Sequence, residues 1–257
     1  MYTNSAKETK IYYETVGTGM PLLFIHPPGM GHVTFTKQKE LADEYQVILY
    51  DIRGNGRSDV GLLPMTMELL IEDVKSVLDD LSIEKAIICG YSNGGCIAQE
   101  FALTYPERVK GLILFGGFPE VNSYILRKEF QLGIWATRNK LVDLMAFGLS
   151  KAHWKNKQMQ QELRDYIKQN DMKTTEEMYK ETLHYNSTDR LQEINVPVLI
   201  MYGSLEFYTH HYGEQFQEKL KNVEVVHISK ATHQIPTKHF REANHIIKDF
   251  INRKIKE

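Results

Sequence analysis

The stretch GYSNGG, residues 90–95, places a serine between glycines directly after the apolar run AIIC. On a sharp turn from a strand to a helix, a serine hydroxyl stands clear of the backbone, and the first amides of the helix favour negative charge nearby. Both properties suit an attacking oxygen, so Ser92 is a candidate nucleophile. The glycines fit because the turn is tight and the helix passes close to a neighbouring strand. The alternative interpretation is a glycine-rich turn with an incidental serine.

A serine hydroxyl attacks only when a base takes its proton, so the chain must also supply a histidine that a carboxylate holds in place. His233, in the segment KATHQIP, is predicted to lie in a loop between the last strand and the last helix. A metal site is not expected here. His233, His239 and His245 recur every six residues, and that spacing points them in different directions on a helix.

Most of the chain alternates short apolar segments with amphipathic ones, which is typical of a mainly parallel α/β sheet covered by helices on both faces. Strands are predicted at residues 10–16, 21–26, 46–51, 85–89, 109–117, 196–203 and 223–228. Helices are predicted at residues 66–81, 94–104, 211–221 and 237–252. In this arrangement the GYSNGG segment joins a strand to a helix, as the proposed chemistry requires.

Between the fifth and sixth predicted strands, the sequence shows helix signals but no convincing strand. One such signal is TTEEMYKETL, in which Thr174 and Glu177 form a candidate capping box at the start of a helix. We therefore predict two parts: a core domain of residues 1–118 and 191–257, and a helical cap subdomain of residues 119–190.

The composition limits the partners that the chain could bind. With 257 residues, 42% of them hydrophobic, one globular domain with a sizeable core is expected. The net charge of −2 and the scattered basic residues do not suit nucleic acid. No segment reaches the ~20 apolar residues that span a bilayer, and MYTNSAKETK at the N-terminus is polar. We expect a cytoplasmic monomer or homodimer without membrane contact, in which Cys89 and Cys96 are reduced.

Four segments together resemble landmarks of the α/β-hydrolase family. FIHPPGMG is similar to the family's oxyanion loop, DIRGNGRSD to its D-x-R-G-x-G-x-S segment, GYSNGG to its nucleophile elbow, and ATHQIP to its late histidine loop. The resemblance covers nearly the whole chain. It implies an α/β-hydrolase sheet flanked by helices, with an all-helical cap inserted after the sixth strand. It also implies Ser92 as nucleophile and His233 as general base, with no cofactor.

The resemblance also bears on the carboxylate that orients His233. In the family this acid usually follows the strand after the cap, commonly as aspartate in G-x-x-D, and the present chain has GSLE there, ending at Glu206. Glutamate can also hold the tautomer of the imidazole and stabilise the imidazolium, although its extra methylene changes its reach. Glu120 is the alternative acid, because it follows the strand at 109–117, a position that a minority of the family uses.

The negative oxygen of a tetrahedral intermediate needs a pair of hydrogen-bond donors. The N–H of Asn93 is one candidate, because it follows the nucleophile. In the family the other donor is the second residue after the loop histidine, which here is Pro28 and has no N–H. Losing one donor typically costs ~3 kcal/mol of transition-state stabilisation. We therefore expect the amide of Gly29 to replace it and Pro28 to form a wall of the site.

An apolar substrate pocket is expected beneath the cap. Trp135 lies in the predicted cap together with other aromatic residues and methionines, which at helical spacing are more often core than pocket residues. We expect the pocket lining to include Trp135, His26, Tyr91 and Phe207. Such a pocket favours a small apolar or aromatic acyl substrate over a sugar or a phosphate ester.

These observations predict a serine hydrolase that acts on a small carboxylic ester or a related acyl or lactone substrate. Hydrolysis of a carbon–carbon bond, perhydrolysis and aminopeptidase activity stay open, because they use the same residues with a different pocket. A non-catalytic small-molecule receptor or signalling partner is the alternative from another class, because Glu206 and Pro28 depart from the usual pattern.

The segment RGNGRSD has a second interpretation as a dinucleotide-binding loop, because two glycines follow a predicted strand. Asp59 stands where the third glycine of that motif would be, so a dinucleotide site is not expected. We expect Asp51 and Arg53 to brace this turn instead.

Overall fold

The computed structural model of the chain describes residues 1–5, 8–61 and 64–256. Within these ranges one eight-stranded sheet has the order β1-β2-β4-β3-β5-β6-β7-β8. The strands are β1 (Tyr2–Ser5), β2 (Thr9–Val16), β3 (Met20–Ile25), β4 (Tyr45–Tyr50), β5 (Ala86–Tyr91), β6 (Val109–Phe115), β7 (Val198–Gly203) and β8 (Val223–Ile228). β2 pairs antiparallel with both β1 and β4, and all pairs from β4 to β8 are parallel. The predicted α/β class with a mainly parallel sheet is confirmed.

The helices lie between these strands. They are α1 (Met67–Asp80), α2 (Gly94–Thr104), α3 (Tyr124–Arg138), α4 (Val142–His153), α5 (Lys157–Ile167), α6 (Met172–His184), α7 (His210–Lys219), α8 (Ile235–Lys238) and α9 (Phe240–Lys254). A 3₁₀ segment, His32–Asp43, follows β3. Four helices, α3 to α6, come between β6 and β7, and we call them the cap helices. The boundaries of a separate cap subdomain at residues 119 and 190 stay a prediction.

Each central strand is apolar on both faces, because the sheet lies between two layers of helices. Along β3, Leu23 and Ile25 pack on the side of α1, α2 and α7, whereas Leu22 and Phe24 pack on the side of the 3₁₀ segment and α9. All four side chains are fully buried. The sheet is thus the rigid centre of the molecule, and the loops at the carboxyl ends of its strands have a fixed base.

Several element boundaries differ from the sequence predictions for local reasons. β6 ends at Phe115 rather than at residue 117, because Gly116 has φ +58° and leaves the strand. The predicted last helix is divided in two at His239, whose φ of −120° interrupts the helix between α8 and α9. β1 was not predicted, because four residues are too few for a periodicity signal.

The N-cap residue of α6 differs from the one in the predicted capping box. Asp171, not Thr174, is the N-cap: its carboxylate accepts a hydrogen bond of 2.7 Å from the Thr174 N–H and another from the Thr174 hydroxyl. The helix consequently begins at Met172, a turn earlier than the capping-box pattern indicates. A carboxylate at this position also stabilises the positive end of the helix dipole.

The two cysteines are free thiols buried on β5 and α2, as the sequence predicts. Burial raises the pKa of both thiols well above the ordinary value, so they are neutral core residues. None of the helices in the described ranges combines the length and apolar character needed to cross a bilayer.

A buried ion pair fixes the turn between β4 and α1. The Arg53 guanidinium donates two hydrogen bonds, of 2.8 and 2.6 Å, to the Asp73 carboxylate on α1, and both side chains are almost completely buried. Asp73 belongs to the apolar stripe of α1, where an unpaired carboxylate would be costly. The pair explains why the sequence places an acid in that stripe.

Removing one member of this pair should destabilise the fold. We expect Arg53→Met to lower the free energy of unfolding by about 3–5 kcal/mol, because Asp73 would be left buried without its partner. The matched control is Arg253→Met, which removes exposed pairs with Glu224 and Asp249 and should cost far less stability, because solvent screens these charges. Urea denaturation of both variants measures the difference. Equal losses would contradict the assignment of Arg53–Asp73 as a buried structural pair.

Candidate active site

The turn after β5 holds Ser92 in a strained backbone conformation. Ser92 has φ +52°, a region that residues other than glycine seldom occupy, and its N–H donates to the Phe115 carbonyl at 2.8 Å. Glycine is required next to it: a Cβ on Gly94 would lie 2.3 Å from the Ile25 carbonyl oxygen, and one on Gly90 would lie 2.5 Å from the Gly95 Cα. Such strain persists only where the surrounding structure enforces it, and it is concentrated at functional sites.

His233 and Glu206 meet at the same edge of the sheet. Glu206 follows β7, His233 follows β8, and His233 Nδ1 lies 2.6 Å from Glu206 Oε1. The Glu206 side chain is 1% exposed and that of His233 is 18% exposed, so the carboxylate is shielded while the ring reaches solvent. Gly203 allows the two loops to pack closely, because a Cβ there would lie 2.4 Å from the Ala231 carbonyl oxygen.

A third loop makes room for the imidazole. Gly116, after β6, has φ +58°, and a Cβ at this position would lie 2.6 Å from His233 Cε1. Tyr91, the last residue of β5, packs against the ring with a centroid distance of 5.1 Å. The ring is therefore held by a hydrogen bond at Nδ1 and by contacts with Tyr91 at the end of β5 and with the loop after β6.

The electrostatics around His233 favour the protonated ring. Burial disfavours the imidazolium, but the charge and hydrogen bond of Glu206 and the charge of Glu129 favour it more, so the pKa of His233 is raised above its ordinary value. A raised pKa means that the ring loses its function as a base as the pH falls through a value above 6.5.

The alternative acid, Glu120, is engaged elsewhere. Its carboxylate accepts hydrogen bonds from Asn122 and Asn186 side-chain amides and from the Thr188 hydroxyl, at 3.0 to 3.2 Å. These contacts join the start of the helical segment to its end. Of the two carboxylates considered, Glu206 is the one that the structure pairs with His233.

The amide of Gly29, expected to be the second oxyanion donor, is not free in the loop after β3. The Gly29 N–H donates to Asn55 Oδ1 at 2.8 Å, and Gly29 does not line the cavity next to Ser92. Pro28 does line that cavity, as expected. The N–H of Asn93, at the start of α2, has no hydrogen-bond partner among the described residues, which matches the open amides of a helix N-terminus.

Ser92 and His233 both line one cavity of about 480 Å³. Its floor is the edge of the sheet, and its walls and entrance come largely from the cap helices. Leu132, Trp135 and Leu144 line the cavity yet are 52 to 62% exposed, so its entrance is apolar. Tyr91 and Trp135, both expected in the substrate pocket, line this cavity.

Two predicted pocket residues lie elsewhere. His26 is completely buried outside the cavity, where its Nε2 accepts a hydrogen bond of 2.9 Å from the Ile52 N–H. Burial lowers the pKa of His26 to about 4, so it is a neutral structural histidine. Phe207 is 72% exposed and does not line the cavity, and the next residue, Tyr208, lines it instead. A short 3₁₀ turn, Phe207–Thr209, causes this exchange.

Polar residues that the sequence did not indicate also line the cavity. Glu129 on α3 receives a hydrogen bond of 3.4 Å from the Tyr208 hydroxyl. His153 on α4 lies near the Thr237 hydroxyl, and burial lowers its pKa to about 3, so its ring is neutral. The sequence does not show that a single glutamate or histidine in an amphipathic helix lines a cavity, because the direction of its side chain depends on how the helix packs.

A family model described as the alpha/beta hydrolase fold matches residues 21–239, from the start of β3 to the junction of α8 and α9. The chain belongs to the α/β-hydrolase fold family. The resemblance drawn from the four sequence segments is therefore confirmed.

Relatives within the α/β-hydrolase fold family are named for different reactions. The 2-hydroxy-6-oxononadienedioate/2-hydroxy-6-oxononatrienedioate hydrolase of Paraburkholderia phymatum is 28% identical over 95% of this chain and 91% of its own length. Epoxide hydrolase 4 of Homo sapiens is 36% identical, but over 48% of this chain and 36% of its own length. Thus the chain spans less than half of the length of the relatives that it matches at 36% identity.

Among solved α/β-hydrolase structures, an esterase from Exiguobacterium antarcticum has a TM-score of 0.87 to this chain at 21% identity, covering 98% of this chain and 99% of the other. At that identity the similarity establishes the fold and leaves the reaction to the site residues.

The prediction that Asp51 and Arg53 brace the β4–α1 turn agrees with the contacts. Asp51 accepts hydrogen bonds from the N–H groups of His32 and Arg57, at 2.8 and 3.0 Å. Arg53 pairs with Asp73, as described above. Both residues therefore support the loops near the site and do not line its cavity.

Proposed function

We propose that this chain is a serine hydrolase that cleaves a small carboxylic ester, or a related acyl or lactone substrate, through Ser92, His233 and Glu206. The observation that carries the proposal is the placement of Ser92 and of a Glu206-bound imidazole in the wall of the same apolar cavity.

The hydrogen bond to Glu206 assigns the roles of the two ring nitrogens. With the proton on Nδ1 donated to Glu206 Oε1, the lone pair of His233 Nε2 is available to take the Ser92 hydroxyl proton. Ser92 Oγ then attacks the carbonyl carbon, and the imidazolium is stabilised by the buried carboxylate. The same nitrogen returns its proton to the leaving group, and a water molecule repeats the sequence on the acyl-enzyme.

The cavity supports an apolar acyl group. Its lining is mainly aliphatic and aromatic, and it includes no lysine or arginine of the described residues that could bind a phosphate or a dicarboxylate. Epoxide hydrolases of this fold use an aspartate nucleophile, and Ser92 occupies that position here. An acyl-enzyme mechanism therefore fits this chain better than the reaction for which its human relative is named.

A fluorophosphonate probe tests the proposal directly. We expect the wild type to be labelled at Ser92 and Ser92→Ala to stay unlabelled, because only an activated serine displaces the fluoride. The measurement is intact-protein mass spectrometry followed by peptide mapping. In parallel, p-nitrophenyl esters from acetate to decanoate report the acyl length that the cavity accepts. A folded wild type that takes no label would favour the non-catalytic receptor instead.

A further inference from the structure

The loop after β3 offers no free amide to an oxyanion. Pro27 and Pro28 have no N–H, and Gly29 donates its N–H to Asn55. The Met30 N–H faces the Pro27 carbonyl at 3.4 Å, and Gly31 does not line the cavity. The backbone of this loop therefore does not supply the second donor that acyl transfer requires.

The side chain of Asn93, in contrast, has buried hydrogen-bonding groups without a partner in the described part of the chain. Asn93 is 2% exposed, and neither Oδ1 nor Nδ2 of its carboxamide has a hydrogen-bond partner among the described residues. Buried amides are nearly always paired, because an unpaired one loses its bonds to water without replacing them. Asn93 nevertheless lies in the cavity wall, one residue after Ser92.

We propose that the side-chain carboxamide of Asn93 is the second oxyanion donor, replacing the loop amide that Pro28 removes. The inference rests on the proposed serine-hydrolase function. Asn93 then contributes two donors to one oxygen, its backbone N–H and its Nδ2–H, and both act at the positive end of α2. Nδ2 has no partner among the described residues to give up, and it would bind the developing negative charge more strongly than the neutral carbonyl oxygen of the substrate.

This role predicts that activity and stability respond differently to the same substitution. Leucine has nearly the shape of asparagine and removes a buried amide that lacks described partners, so Asn93→Leu should leave the melting temperature unchanged or raise it. The same variant should lose about a hundredfold to a thousandfold in kcat, the usual effect of removing one oxyanion donor. KM should change little, because the donor acts on the transition state rather than on bound substrate.

The experiment compares Asn93→Leu, Asn93→Ala and Asn93→Asp with the wild type on the best p-nitrophenyl ester of the panel. Asn93→Asp should be the slowest, because a carboxylate of the same shape repels the oxyanion. Asn222→Leu, at an exposed position just before β8, is the control for an asparagine-to-leucine change outside the cavity and should keep wild-type kcat. If Asn93→Leu does not fold, Asn93→Ala and Asn93→Asp still provide the kcat comparison.

The outcomes separate this inference from the proposed function. A wild-type kcat in a folded Asn93→Leu variant would overturn the role of the carboxamide, as would a higher KM at unchanged kcat. In both cases labelling of the wild type by the fluorophosphonate would leave the serine-hydrolase proposal intact. A wild type that is neither labelled nor active on any ester would overturn both. A fall in kcat at unchanged KM, with the wild type labelled at Ser92, would support both.

Discussion

Replacing His233 by alanine should reduce kcat on the preferred ester by about a millionfold, the scale of loss seen when the base of a serine triad is removed. The reason is that Ser92 would keep its strained position and its cavity but lose the group that accepts its proton. His239→Ala is the matched control, because His239 lies at the junction of α8 and α9, outside the cavity lining. We expect it to keep most of the activity.

The pH dependence of the wild type checks the same role. Only the neutral ring accepts a proton, and the pKa of His233 is raised, so kcat/KM should fall as the pH drops through a value above 6.5. Glu129→Gln removes one of the charges that raise this pKa, and the acidic limb should then move to lower pH. A flat profile down to pH 5, or an active His233→Ala variant, would contradict the assignment.

The sequence predicted the parts of the site that depend on backbone geometry. Strands such as β3 and β5 are continuous apolar runs between turn residues, and such runs are typical of buried parallel strands in an α/β protein. The elbow follows from them, because Gly90 and Gly94 are required where α2 passes close to β3 and β5. The order of Ser92, Glu206 and His233 along the chain then matches the carboxyl ends of β5, β7 and β8 in one sheet.

The parts that the sequence did not predict depend on packing between segments far apart in the chain. The Gly29 amide was expected to be free, but Asn55, 26 residues further on, accepts its hydrogen bond. Phe207 was the expected pocket residue, but within the 3₁₀ turn Phe207–Thr209 it is Tyr208 that lines the cavity. The charge of Glu129 acts on His233 only because α3 lies across the cavity. No local sequence pattern indicates these contacts between distant segments.

The choice of carboxylate gives the second large expected effect. Glu206→Gln should reduce kcat by roughly a hundredfold or more, approaching the about ten-thousandfold loss known for an acid-to-amide change in a serine triad. A glutamine can donate an N–H to Nδ1, which stabilises the tautomer whose Nε2 carries the proton and cannot accept another. The amide also cannot stabilise the imidazolium by charge.

Glu120→Gln is the matched control for this substitution. It makes the same chemical change at a carboxylate whose hydrogen bonds go to Asn122, Asn186 and Thr188, so it should change kcat little. Initial rates on one ester, with melting temperatures to confirm folding, are sufficient for the comparison. Because Glu206 rather than Glu120 lies within hydrogen-bond distance of His233 Nδ1, at 2.6 Å, a larger loss in Glu120→Gln than in Glu206→Gln would require a different arrangement of the loop after β7 during catalysis.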